Sequence, residues 1–123
     1  MNIDDILKES EDQFKKTEEY LNSLSEEERN ELKEKELELS HKVKELLDKK
    51  GIGVSDIVTH FHKDYTIGNN EVIDAFNTVY TPTEIQRARS VVTNAETMEM
   101  LYVRAGIKGL IPVEEYFEGI DNN

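Results

Sequence analysis

Six acid–base pairs at a spacing of four constrain this chain most: Asp4–Lys8, Glu11–Lys15, Asp12–Lys16, Glu31–Lys35, Glu38–Lys42 and Glu45–Lys49. On a helix each pair shares a face with the acid on the N-terminal side, an arrangement that stabilises by about 0.2–0.5 kcal/mol per pair. A segment built this way is designed to be helical while wet. Its apolar residues follow suit. Ile3, Leu7, Ser10, Phe14, Thr17, Leu21 and Leu24 alternate in steps of four and three, a heptad seam diluted by two polar members. The spacing predicts a first helix from about Ile3 to Leu21, with Asn2 as N-cap and Asp4 and Asp5 in the favoured first turn.

Asn22–Leu24 breaks that helix. Ser25 opens a second one, with Glu28 three residues on completing a capping box. Lys49, Lys50 and Gly51 form the stop. The second seam is Leu32, Glu36, Leu39, Val43 and Leu46, with Leu37 and Leu47 beside it. A short connection favours an antiparallel hairpin, in which the seams meet each other; the alternative is that they pair with a second copy of the chain.

Residues 1–50 carry 16 acids against 10 bases and only two of the nine aromatics, so core material concentrates in 51–123. There the pattern reads as short helices. Ser55 caps a helix bearing Ile57, Val58, Phe61 and Tyr65, and Gly68-Asn69-Asn70 breaks the chain. Val72, Ile73, Phe76, Val79 and Tyr80 form an amphipathic stripe. Thr81-Pro82-Thr83-Glu84 and Thr93-Asn94-Ala95-Glu96 both look like helix starts, and Gly106 like a stop. Pro112 opens a last turn or two through Phe117. Ser90-Val91-Val92-Thr93 is β-branched enough for a strand but has no evident partner, so helix or turn is preferred. The expected fold is therefore all-α: an acidic, coiled-coil-like helical hairpin over 1–50, then a compact bundle of short helices over 51–123.

A net charge of −12 opposes nucleic-acid phosphates and anionic membranes and admits a basic protein partner. With no cysteine there are no disulfides or thiolate metal sites. No basic-then-apolar leader opens the chain and no apolar run is long enough to span a bilayer, so a cytoplasmic location is expected.

Chemistry-bearing motifs are sparse. On a helix His60 and Asp64 share a face and could hold a metal or a proton, but His62 is rotated away and His41 is the only other histidine. Half-exposed histidines beside a core Phe61 is the simpler reading, and no metal or cofactor is expected. A helix-turn-helix over 55–80 would present Glu71, Asp74, Asn77 and Thr78 of its recognition helix, 70–80, which has no Lys or Arg, so direct nucleic-acid binding is not expected. Arg87, Arg89, Arg104 and Lys108 could form a basic patch; isolated surface ion pairs are the bland alternative. No nucleophile elbow, glycine-rich phosphate loop or zinc-protease motif is present.

What remains is the acid-studded rod. Glu26, Glu27, Glu28, Glu31, Glu34 and Glu38 could imitate a phosphate backbone and occupy a basic surface on another protein. Interleaved lysines weaken that field, and a merely solvated surface is the competing view. The expectation is a non-enzymatic protein-binding protein, an acidic inhibitor or regulator that in style resembles phage and mobile-element accessory proteins, although no motif carries that likeness. An oligomeric scaffold or virion-assembly factor using the N-terminal seams, and a small enzyme at His60 and Asp64, are the alternatives.

Overall fold

A computed structural model describes residues 3–67, 71–85, 87–105 and 109–121, with side chains between 11 and 118. Two helices, α1 (Ile3–Ser23) and α2 (Glu26–Lys49), are followed by five strands: β1 (Val54–Thr66), β2 (Val72–Pro82), β3 (Arg89–Asn94), β4 (Met100–Arg104) and β5 (Leu110–Pro112). A short helix, α3 (Val113–Asp121), follows β5. The strands pair antiparallel in chain order, so the sheet is a five-stranded meander with β1 and β5 at its edges.

The chain is thus a mixed α/β fold, and the all-α, coiled-coil expectation is wrong. Residues 54–112 form the sheet in place of the expected helical bundle, and neither the helix-turn-helix nor the helical His60–Asp64 pairing exists. The physical reason lies in the central strands. Phe76, Thr78 and Tyr80 alternate towards the helices, while Ala75, Asn77 and Val79 face the other way opposite His62, His60 and Val58. Both sides of β2 are largely buried, so its period of two is masked and an apolar run remains that fits a helix equally well. Ser90–Thr93 finds partners on both sides, in β2 and β4. The two supposed helix starts are strand ends: Pro82 closes β2, and Asn94 Oδ1 accepts the N–H groups of Glu96 and Thr97 at 2.8 and 3.2 Å in a turn between β3 and β4.

Helix boundaries in the first half follow their caps. Ser25 Oγ accepts the Glu28 N–H and Glu28 Oε1 accepts the Ser25 N–H, each at 3.1 Å. At the far end Gly51 adopts φ 74°, and Ile52 N–H reaches back to Leu47 C=O at 2.9 Å, a Schellman closure. The helices do not zip together along their seams, however. Leu39, Val43 and Leu47 of α2 are fully buried against the sheet, with Phe61 and Phe76 at one end and Tyr80, Val91, Val103 and Phe117 at the other. α1 meets β1 through Tyr20, whose ring lies 5.5 Å from that of Phe61, and the seam residue Phe14 is 68% exposed. A sheet face offers more apolar area than a second polar-diluted helix, so the seam of α2 goes to the sheet. Ile3, Leu7 and Ser10 lie outside the described side chains.

All three helices cover one face. The opposite face carries its own cluster of Ile67, Ala75 and Val92 beneath Tyr65, Leu101, Tyr102 and Leu110. A bulge between His62 and Tyr65 bends β1 there, with Asp64 at φ 49°. Asp74 clamps the bulge: its carboxylate takes the Asp64 N–H at 3.0 Å and the Lys63 ammonium at 2.9 Å. No described helix is long and apolar enough to cross a membrane.

Candidate protein-binding surface

Two exposed features flank α2, and the helix itself separates them. Residues Ser25 to Glu31 are all exposed, and Leu32 is the first residue of α2 to pack against a core cluster. Helical spacing places Glu27, Glu31, Glu34 and Glu38 along one stripe, roughly opposite the buried Leu39 and Val43. All four are exposed. Of the expected charge pairs, Glu38–Lys42 closes at 3.1 Å and discounts the last member of the stripe. Glu26 and Glu28 belong to the same turn, but Glu28 is engaged as the cap partner. The Ser25 N–H, then the Ser25 hydroxyl, hold its carboxyl below the ordinary range.

The second feature is the groove between the other flank of α2 and the outer edge of β1. Leu37, 63% exposed, and Val58, 46% exposed, line it with Ile57, Ser40, His41 and Lys44. Ser40 Oγ meets Thr59 Oγ1 at 2.7 Å, and Thr59 Oγ1 meets Thr78 Oγ1 at 2.9 Å, a hydroxyl chain pinning helix to strand. Glu36 sits just along the helix, half-buried. Desolvation pushes its carboxyl above the usual range, opposed by the nearby His60, by the Phe61 N–H beside it, and by Lys33.

The histidines stand on a strand and not a helix. His60 and His62 therefore share the uncovered face of the sheet, and Asp64 lies at the bulge. Burial, then the positive fields of His60 and Arg104, push the His62 imidazole below its ordinary value. Its ring lies 5.4 Å from Tyr65, over which the Arg104 guanidinium sits at 5.5 Å. His41 is exposed on α2. Among the described residues no three His, Asp or Glu side chains gather as a metal cage.

The four bases of the suggested patch are dispersed. Arg87 is exposed in the turn before β3, and Arg89 pairs with Tyr80 on the helix-covered side. Arg104, opposite Ser90, faces the uncovered side, and Lys108 lies outside the described residues. Tyr80, fully buried, has its phenol pushed far up by burial, with its hydroxyl 3.4 Å from that of Tyr116.

Sequence reasoning missed the groove and the edge, because both are made by strand order and by which face α2 covers. The β-branched run Ile57-Val58-Thr59 was the one available signal. Comparison with protein-family models, with curated proteins and with solved structures finds no match to this chain.

Proposed function

We propose that this chain is a non-enzymatic protein-binding module that docks a basic surface of another protein along the outer face of α2. The observation that carries the reading is the stripe of Glu27, Glu31 and Glu34: exposed, in helical register, and held on a helix whose opposite side is locked into the core. A rod fixed in this way presents its charges in one geometry, so little conformational entropy is lost on docking. Carboxylates in a row steer a cationic partner and set its register, and their contribution weakens as salt rises.

The test compares two charge reversals of equal size by quantitative capture from a lysate of the source cell. Glu27→Lys, Glu31→Lys and Glu34→Lys together alter the ridge, while Glu114→Lys, Glu115→Lys and Glu118→Lys alter exposed acids on α3. A basic protein retained by wild type and the α3 variant, but lost from the ridge variant and at high salt, is the expected result. Equal loss from both variants, or no loss from either, removes the reading.

A further inference from the structure

We propose that the outer edge of β1 pairs with the same edge of a second copy of this chain, about a two-fold axis at Val58, to make one continuous sheet. The inference is independent of the acidic ridge, which lies on the other flank of α2.

The hydrogen-bonding sense of β1 is fixed by what already meets its edge. The Phe61 N–H faces outward beside the Glu36 carboxylate, where it helps hold that carboxyl down. Lys63 donates its N–H to Thr17 Oγ1 at 3.1 Å, and its carbonyl accepts from the Gln13 amide. Alternation along the strand then turns the N–H and C=O groups of Ile57 and Thr59 outward as well, while Val58, His60 and His62 bond to β2. One end of this edge is thus closed by α1 and Glu36. The other is closed by the bulge at Ser55, where the register with β2 shifts. Between them lies a short open window over 56–60. An unprotected edge of this kind recruits another strand. The far edge of the sheet, β5, has three residues.

Within that window the side chains are self-complementary. With Val58 on the axis, Ile57 lies opposite the partner's Thr59, and each such pair exchanges both N–H···O bonds. On the uncovered face Asp56 falls opposite the partner's His60, and His60 opposite the partner's Asp56. Val58 meets the partner's Val58 at a site where facing Cα atoms approach to about 4.5 Å. All three side chains are exposed in the single chain. A carboxylate facing an imidazole across an antiparallel pair can accept its ring N–H, which two facing carboxylates cannot do for each other. Moving the axis to Ile57 sets Asp56 against the partner's Val58. Moving it to Thr59 sets Val58 against the partner's His60 and Asp56 against the partner's half-buried His62, and it carries the pairing to Phe61, at the end of the strand that α1 and Glu36 crowd. Only the axis at Val58 sets the exposed Asp56 against the exposed His60 and keeps the pairing within the open window. On the helix side Leu37, exposed above the same groove, then faces the partner's α2 instead of water. Such a contact is isologous and closes at two copies.

The chain has no cysteine, so one introduced thiol reports its neighbour cleanly. Val58→Cys places two thiols on the axis, within the Cβ separation that a disulfide tolerates. Val72→Cys, at a comparably exposed site on β2, is the control. Under mild oxidation Val58→Cys should give covalent dimer at least about 10-fold faster than the control, and the wild type should sediment as a reversible dimer between about 1 and 100 μM. Val58→Lys, which sets two ammonium groups on the axis, should yield monomer with an unchanged circular dichroism spectrum. Asp56→His and His60→Asp should each weaken the dimer, and the double variant should recover it. A wild type monomeric throughout that range, equal cross-linking of the two cysteine variants, or a double variant weaker than both singles overturns the proposal. A monomer whose edge captures a foreign protein in a Val58-dependent manner overturns it too, by assigning the edge to another strand. Loss of the dimer with the ridge-dependent capture intact separates this inference from the proposed function.

Discussion

Leu39 and Phe14 are both apolar residues of expected helix seams, and the structure gives them opposite fates. Leu39 has no exposed surface and lies among Phe61, Phe76, Tyr20, Leu21 and Leu32. Leu39→Ala therefore loses the transfer free energy of the removed methyl groups and leaves a cavity that aromatic neighbours on two strands cannot collapse into. Such truncations cost about 2.7–5 kcal/mol, and a value near 3 is expected here. At roughly 2 cal/mol/K per residue the 123-residue chain would then melt about 12 °C lower. Phe14 is 68% exposed, so Phe14→Ala should fall within about 0.5 kcal/mol of wild type. Urea titration followed by circular dichroism, with thermal melts beside it, measures both. An interhelical coiled coil would make Phe14 a buried knob and the two losses comparable. A Phe14→Ala cost above about 2 kcal/mol, or a Leu39→Ala cost below about 1, would refute the sheet-covering arrangement of α2.

Three further outcomes follow from individual groups. Because desolvation raises the Glu36 carboxyl, the folded state holds its proton more tightly than the unfolded state does. Stability from this group falls as pH rises through the raised value, so Glu36→Gln should stabilise at pH 7 and lose its advantage in acid, read from denaturant midpoints at several pH values. His62 has the reverse sign. Its lowered pKa makes stability drop as pH falls below the ordinary imidazole value of about 6.5, and His62→Gln should flatten that limb in the same titrations. Ser25→Ala removes one half of the capping box and should cost about 1 kcal/mol, with faster amide exchange confined to the first turn of α2.

The first half of the chain was legible because its helices are declared by local chemistry. Ser25 and Glu28 bond each other within one turn, and Gly51 supplies the left-handed residue that ends α2; neither needs the rest of the protein. The acidic stripe follows from the same periodicity. What those helices rest against was not legible, since Leu39 and Val43 fit a coiled-coil seam and a sheet-facing stripe equally well. In the second half, local signals for helix compete with those for strand. Ser90–Thr93 had the composition of one, but its partners Ala75–Tyr80 were hidden by burial on both faces. Asn94 and Thr93 mark a turn with residues that also begin helices. The β1 edge could not be inferred at all without knowing that β1 is outermost.

α1 is fastened quite differently from α2. Its described grips on the sheet include the Gln13 and Thr17 side chains at the Lys63 backbone and the Tyr20 ring against Phe61. Leu21 packs beside Tyr20, and the Lys63 ammonium sits 4.6 Å over the Tyr20 ring, so the described grips between 11 and 23 are two polar latches and a small apolar anchor near the C-terminal end. Such a helix can peel away while the cluster of Val43, Leu47, Tyr80 and Val103 stays packed, at the cost of uncovering one side of Leu39 and Phe61. Trypsin should accordingly nick the native chain first at Lys15 and Lys16, before any cut within the strands. Release of α1 would also uncover the Lys63 backbone, lengthening the bare strand margin that the helix otherwise guards.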